Sequence, residues 1–399
     1  MSLPTVEAAQ AAMLETIRPL DAESVPLAQA DDRWLAEPVL ARRDQPPFHA
    51  SAMDGWAVRA VDVVEGARLA IVGESAAGHG NEITVGAGQA ARIFTGAALP
   101  AGADHVVIQE EAVGGTGHVT LQAPRADMSY VRPRGGDFRQ GQVLLEMGVR
   151  LNPWRLALAA SAGCSDLVCA RRPRVAILPT GDELVEAGGE AGPHQIYDAG
   201  GAALVAFAAR RGAVAERLRP ARDQDADVIA VVEAATFDLL VTIGGASVGD
   251  HDRIKPALRA IGAELTVEGC AMRPGKPVWF ATLPGGRWVL GLPGNPASAL
   301  VCAELFLAPL VMALQGGQAT SAFETAFLAE PLAANGPRDH YMRATMQIGA
   351  DGLRRVRPFP NQDSSLVTVM ASATTLIRRR PGAQAAFEGD TVEILPPGH

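Results

Sequence analysis

The sequence predicts a multidomain α/β protein, and three observations carry that prediction. The chain has 399 residues, 48% hydrophobic and 20% charged, enough apolar material for more than one core at roughly 150 residues per domain. From residue 174 to about 316 the pattern is strand, loop, helix, repeated, which predicts a largely parallel, doubly wound sheet covered on both faces. On either side of it the helical period gives way to short β-rich runs separated by glycine and proline turns.

In chain order, residues 1–45 read as helical, with Val6, Met13, Ile17 and Leu20 on one side of a helix. Residues 46–133 read as a β-rich domain, with runs at 68–72 and 105–109 and turns in "GESAAGHG" and "TGAALPAGAD". Residues 134–172 combine a turn region, "RPRGGDFRQGQ", with a helix over 153–162, and are grouped with 1–45 as an extended N-terminal domain. The central domain spans 173–318. Its strands are expected at 175–178, 214–218, 239–243, 265–267, 278–281 and 288–292, and its helices at 202–211, 225–235, 253–261 and 297–314. Residues 319–399 return to short strands and turns, as in a small β-barrel-like domain.

A formal net charge of −9 argues against a broad basic surface for nucleic acid, while leaving room for a local basic pocket. The four cysteines, Cys164, Cys169, Cys270 and Cys302, follow no zinc or redox spacing and read as reduced thiols. The N-terminus lacks the basic and apolar regions of a signal peptide. The most apolar stretch, 299–314, carries Glu304 and Pro309 and is expected to fall short of a membrane span. A cytoplasmic protein without membrane association is the expectation.

Ligands of open α/β sheets bind beyond the carboxyl ends of the strands. Four unusual loops are expected on that edge: "PTGDEL" at 179–184, "GGASVGDHD" at 244–252, "MRPGKP" at 272–277 and "GLPGNPAS" at 291–298. In the last, Asn295 suits an N-cap and Pro296 the first helical position, while the glycines and the helix start equally suit an anion. Arg273 and Lys276 form either a solvated basic turn or a seat for an anion. Thr180 and Asp182 can cap a turn. Asp252 can cap the following helix, and Asp250 is as well explained by a cap as by a ligand role. A cap accounts for one acid, yet Glu183, Asp223, Asp250 and Asp252 all come to an edge that invites phosphate. Carboxylates among phosphate-binding loops imply a hard cation such as Mg²⁺ between them. Outside this domain, "SAMDGWAV" and "RIFTGAALP" set Asp54 and Thr95 in turns of the β-rich domain.

The ordered set "SAMDGWAV", "FTGAALP", "PTGDEL", "GGASVGD", "RPGKP", "LPGNPAS" and "NQDSS" resembles the molybdopterin molybdenumtransferase family (MoeA and the E domain of gephyrin) over essentially the whole chain. The resemblance implies an elongated homodimer of four-domain protomers whose α/β domain binds adenylated molybdopterin. It implies insertion of molybdate into the dithiolene with Mg²⁺ and release of AMP. It also implies an active cleft between that domain and the β-rich domain of the partner protomer. By position, Asp54 and Thr95 match residues donated across the dimer, and Glu183, Asp223 and Asp252 match the functional acids, here also the expected metal ligands. Thr180, Gly244, Gly245, Ser247, Arg273, Gly294, Asn295 and Ser298 fall on substrate loops. Lys276, Ser298, Arg343, Ser364 and Ser365 match positions implicated in holding molybdate, and Lys276 is placed among the catalytic residues as well. Molybdopterin adenylyltransferase and other cofactor-pathway proteins are the implied partners.

Four departures stand out. Gly269 lies where some relatives carry lysine, Arg273 replaces the more usual lysine, Gly136 makes "RGGD" of the common "RGED", and His49 replaces a frequent aspartate. Two rival readings remain. One is a related pterin- or nucleotide-acting enzyme, such as an adenylyltransferase, that shares only the α/β domain; "SAMDGWAV", "LPGNPAS" and the C-terminal domain argue against it. The other is a non-enzymatic scaffold, against which the acids argue.

Overall fold

The central sheet of the computed structural model has six strands in the order Val214–Arg217, Arg174–Pro179, Leu239–Ile243, Arg287–Leu292, Trp279–Leu283, Glu264–Glu268. The first four are parallel, Trp279–Leu283 runs antiparallel to both of its neighbours, and Glu264–Glu268 thereby points the same way as the parallel four. The expected sheet is present, and the four loops leave it from one edge. Strand order reverses at Arg174–Pro179, whose next strand in sequence lies on one side and the one after that on the other, so the switch point falls between Pro179 and Ile243. The structure describes residues 3–79, 82–127, 129–222, 224–244, 253–318 and 323–396.

Alternation along the strands builds two cores. Val175, Ile177, Leu239, Val241 and Ile243 face one way, onto the helices Val6–Thr16, Ala199–Arg210 and Pro296–Leu314. Ala176, Leu178 and Leu240 face the other, onto Asp225–Ala234 and Ile254–Ala260. Complete burial of Ile177, Leu178, Leu240 and Val241 is what two covered faces require. The Ala199–Arg210 helix begins three residues before its expected start, because Asp198 caps it by accepting the Gly201 N–H at 2.8 Å.

The 1–45 expectation is corrected: only Val6–Thr16 is α-helical, and short strands follow at Ala22–Pro26 and Val39–Leu40. The helix ends at Ile17, whose backbone is extended, and Pro19 disfavours a return of Arg18 to helix. Val6, Met13 and Ile17 are buried as expected, while Leu20 beyond the helix is half-buried. The 299–314 expectation is corrected too. Pro296–Leu314 is 19 residues long with mean hydropathy 2.1, enough by length and composition to cross a membrane. Most of it is instead packed into the core, and Glu304 pairs with Arg211 at 2.7 Å. Its middle turn, Ala303–Leu307, is π-helical just before Pro309, which brings no N–H to the carbonyl of Leu305; the Gln10 side chain donates to that carbonyl at 2.6 Å.

The chain forms two compact units, and this sheet belongs to the one made of Met1–Glu23, Asp32–Ala36 and Cys169–His399. The same unit contains a β-barrel near the C-terminus. Asp339–Ile348, Arg354–Pro358, Glu324–Leu328, Thr391–Leu395 and Thr375–Arg379 pair in that order, and Thr375–Arg379 returns to Asp339–Ile348 to close the ring. Closure removes the exposed edges that so small a sheet would otherwise carry. Met272–Arg273, from the "RPGKP" loop, adds in parallel to Asp339–His340 and ties the barrel to the central sheet.

The other unit, Ser24–Asp31 with Glu37–Val168, is built on a sheet in the order His105–Ile108, Gly55–Val58, Gln89–Ile93, Arg68–Ser75, His118–Leu121, Ala112–Gly115. Trp56 and Val58 lie in one of its cores and Ala57 in the other, as strand alternation dictates. The 153–162 helix is present as Pro153–Ser161, with Asn152 accepting the Arg155 N–H at 2.9 Å.

Candidate functional site

Three of the four loops meet at the switch point. Thr180 is buried, and both its N–H and its hydroxyl donate to the Ile243 carbonyl at 3.0 Å. Its hydroxyl proton therefore braces two strands. Gly244 follows at φ +93°, with its N–H on the Leu292 carbonyl at 3.2 Å. A Cβ there would stand 2.8 and 2.9 Å from the Thr180 oxygens, and one on Gly294 would stand 3.5 Å from the Gly244 Cα. Glycine is required because these backbones pass too closely for a side chain. Thr180, Gly244 and Gly294 are thus together, as the motif reading expected.

Glu183 is exposed, its carboxylate folded over Gly181, with no hydrogen bond or ion pair to it among the described residues. Gly245, Ser247, Asp223, Asp250 and Asp252 lie outside the described residues. Among the described residues no group of three His, Cys, Asp or Glu side chains forms a metal cluster.

Asn295 occupies the N-cap position of the Pro296–Cys302 helix, but its side chain makes no capping bond. Its amide instead donates to the Ser364 hydroxyl at 2.9 Å, joining "LPGNPAS" to "NQDSS". Ser298 is buried in the first turn of that helix. The "RPGKP" loop approaches from the side. Gly275, at φ +108°, lies flat against the Cys302 sulfur, and Arg273 and Lys276 project outward as exposed cations. Gly269 also has a positive φ, +103°, and a Cβ there would come 3.0 Å from Leu3 and 3.2 Å from the Lys276 carbonyl. This backbone accounts for the departure at 269, since a lysine would be strained and crowded.

Arg343 is fully buried on the barrel strand Asp339–Ile348. One terminal nitrogen of its guanidinium donates to the Asp363 carbonyl at 3.2 Å, while Nε and the other terminal nitrogen find no partner among the described residues. Burial lowers its pKa, Asp363 opposing and Arg273 reinforcing the effect. A buried cation with open donors is costly unless an anion completes it. Gln362 holds the strand beside it, accepting the Arg343 N–H and donating to the Arg343 carbonyl, each at 2.9 Å. Asp363 accepts from the Ser365 N–H at 2.9 Å and the Ser365 hydroxyl at 2.8 Å, which holds its carboxyl below the ordinary range. His340 is pushed down to about 4, first by burial and then by the charges of Arg273, Arg343, Arg338 and Arg379. It is neutral at pH 7, in a strongly positive local field.

Gln362 and Asp363 both stand in the quoted "NQDSS", yet the sequence reading picks out only its serines, which carry the hydroxyls that an oxyanion reading seeks; the bonds that Gln362 and Asp363 make around Arg343 emerge in the structure. Asp198 has a structural role that the sequence signals. It caps its helix and accepts from Arg217 at 2.7 Å, and an acid before the small residues "AGGAA" is a cap signal.

In the other unit the structure brings Asp54 and Thr95 together. One oxygen of Asp54 accepts from the Thr95 N–H at 2.7 Å and from its hydroxyl at 2.8 Å. These bonds, the backbone one first, hold the Asp54 carboxyl below its usual range, with a smaller contribution from Arg92. Arg92 lies over Trp56 and Phe94 and donates to the Gly55 carbonyl at 3.1 Å. Two motifs 41 residues apart thus make one polar pair on the surface.

Three family descriptions match the chain: the MoeA N-terminal region (domain I and II) over residues 4–163, a probable molybdopterin binding domain over 176–313, and the MoeA C-terminal region (domain IV) over 325–396. The molybdopterin molybdenumtransferase of Nostoc sp. is 36% identical over 346 residues, 84% of this chain and 79% of that protein. The Haemophilus influenzae protein of the same name is 32% identical over 99% of each chain. Two crystal structures of the molybdopterin biosynthesis MoeA protein of Pyrococcus horikoshii superpose with TM-scores of 0.84, at 28% and 23% identity, covering 100% and 99% of this chain and 100% of each of theirs. With matches of this extent in sequence and fold, the chain belongs to the molybdopterin molybdenumtransferase (MoeA) family.

Proposed function

We propose that this protein inserts molybdate into adenylated molybdopterin and releases AMP, with Mg²⁺ as its metal. The observation that carries the reading is Arg343: a fully buried guanidinium with two nitrogens unpartnered among the described residues, close in the chain to Ser364, which Asn295 contacts, and in a field that includes Arg273. Such a group suits a small oxyanion. Molybdate, as substrate, would be held by Arg343, Ser364, Ser365 and Ser298, with Lys276 and Arg273 offering further charge. The tight turns at Gly244 and Gly294 let backbone N–H groups approach the phosphate of the adenylated pterin.

Glu183 supports the metal assignment: its carboxylate, unpaired among the described residues, is a hard oxygen donor of the kind Mg²⁺ takes. Asp223 and Asp252 would complete the set. Bound Mg²⁺ would supply charge stabilisation at the phosphoanhydride. The chain's own cations would offset the negative charge that develops on the departing AMP, and fixed donors do so without reorganising. Asp54 and Thr95 act, in this reading, across a homodimer on the site of the partner protomer.

The test is AMP release from adenylated molybdopterin by the purified protein with Mg²⁺, with and without molybdate. Release that rises with molybdate is expected. In Arg343→Gln the molybdate concentration for half-maximal release should rise about tenfold or more, the scale of one charge-assisted hydrogen bond. Release indifferent to molybdate would overturn the proposal.

A further inference from the structure

Arg379 is a buried guanidinium that the proposed reaction leaves unused. It ends the barrel strand Thr375–Arg379 and is 5% exposed. One of its terminal nitrogens donates to the carbonyls of Gln384 and Ala333, while Nε is buried and has no partner among the described residues. No carboxylate pairs with it among them, whereas its neighbours Arg378 and Arg380 are paired with Asp339 and Glu393.

Register places His340 directly opposite Arg379. Cross-strand partners share a face, and alternation puts this pair on the side of Met342, Ala344 and Ile377, in the barrel core. His340 and Arg379 therefore form a polar rung at one end of that core. Exposed Arg338 adds its charge to the field at His340 and makes no ion pair among the described residues. The acids of the adjoining segments are engaged elsewhere: Asp339 and Glu393 hold Arg378 and Arg380, and Asp390 accepts the Phe387 N–H at 2.7 Å. The frame is fixed by the backbone. Leu332 and Ala386 exchange bonds of 2.8 and 2.9 Å, and the Asn335 N–H donates to the Ala383 carbonyl at 2.8 Å. The Asn335 amide donates to the carbonyls of Arg338 at 2.8 Å and Arg379 at 2.7 Å, holding the two arginine segments together.

A buried cation without a carboxylate is costly unless an anion completes it. Guanidinium groups only donate, and they suit the oxygens of a tetrahedral dianion. Neutral His340 adds one donor nitrogen and one acceptor nitrogen. Hydrogen phosphate satisfies this set, since its bare oxygens accept and its O–H donates. Molybdate and the phosphate of AMP are largely without an O–H at neutral pH and would leave the acceptor idle. We infer that this end of the barrel binds a hydrogen phosphate ion, with Arg338 and Arg379 donating to its oxygens and His340 accepting from its hydroxyl. Arg343 leaves the opposite face of the same strand as His340, so this site is separate from the proposed molybdate seat. It does not depend on the proposed reaction.

The test is calorimetric titration of inorganic phosphate into full-length Arg343→Gln, in which the molybdate seat is weakened, and into the same protein with Arg338→Gln or Arg379→Gln added. Molybdate and AMP are titrated in parallel. Arg338 is exposed and its side chain makes no described bond, so this variant should fold even if Arg379→Gln does not, as an unchanged melting curve would show. Phosphate should bind Arg343→Gln and lose about tenfold or more in affinity with either added change. The affinities for molybdate and AMP should stay where they were. Absence of phosphate binding, or a phosphate affinity that Arg338→Gln leaves unmoved, would overturn the site. An equal loss for molybdate or AMP would overturn hydrogen phosphate as its ligand.

Discussion

Asp54 and Thr95 show how a residue pair can be tuned without burial. Two donors from one threonine bear on one carboxylate oxygen, leaving the other for a ligand. Replacing Thr95 by valine removes the hydroxyl donor and keeps the backbone one. The Asp54 carboxyl then returns part of the way toward its ordinary range, so the acid limb of the activity profile should move to higher pH. The sign follows because the ionised form is the one the bonds favour. Comparing pH–rate profiles of AMP release for wild type and Thr95→Val checks this, and superimposable acid limbs would refute it. The pairing itself was not legible in the sequence: each motif read as an isolated turn, and only strand pairing between Gly55–Val58 and Gln89–Ile93 brings them together.

At the scale of the element, the Pro296–Leu314 helix combines a start joined to the barrel through Asn295 and Ser364 with an interrupted middle. Gln10 reaches from Val6–Thr16 to the Leu305 carbonyl, the group residue 309 would pair with in a regular helix. Gln10→Ala should cost about 1 kcal/mol or somewhat more, the scale of a buried acceptor left short. Adding Pro309→Ala restores an N–H to the helix, so the double variant should recover part of the loss. Denaturant unfolding across the four proteins measures the coupling, and strict additivity would show that Gln10 and Pro309 are unrelated. The helix, its Pro at the start and its apolar content were readable along the chain. Its π-helical turn and the Arg211–Glu304 pair depend on neighbours distant in sequence. The same distinction explains Asn295, a cap by sequence whose amide the barrel claims through Ser364.

At the scale of the whole molecule, the proposed chemistry distributes one site over two units and two protomers. At molybdate far below the concentration that Arg343→Gln needs, Asp54→Asn and Arg343→Gln would each leave every site of their own homodimer nearly silent. After subunit exchange of an equal mixture, half the dimers would be mixed, and each would hold one site with both defects and one with neither. The mixture should therefore recover about a quarter of wild-type AMP release, as expected for a symmetric two-site dimer. No recovery, despite exchange demonstrated with differently tagged chains, would place both residues in sites built within one protomer.

Residue order by itself determined the α/β class, the strand–helix succession, the four loops at one sheet edge and the family resemblance. Each rests on local periodicity or on short motifs, and covalent succession preserves both. The tertiary structure decided what each loop's groups touch. Thr180 spends its proton on Ile243, Gly244 and Gly294 admit close backbone contact, and Arg343 is buried with open donors. It also decided that a stretch apolar enough to cross a membrane is a core helix. The physical reason is the same throughout: burial and hydrogen-bond satisfaction are sums over neighbours in space, and most of these neighbours are many residues apart in the chain.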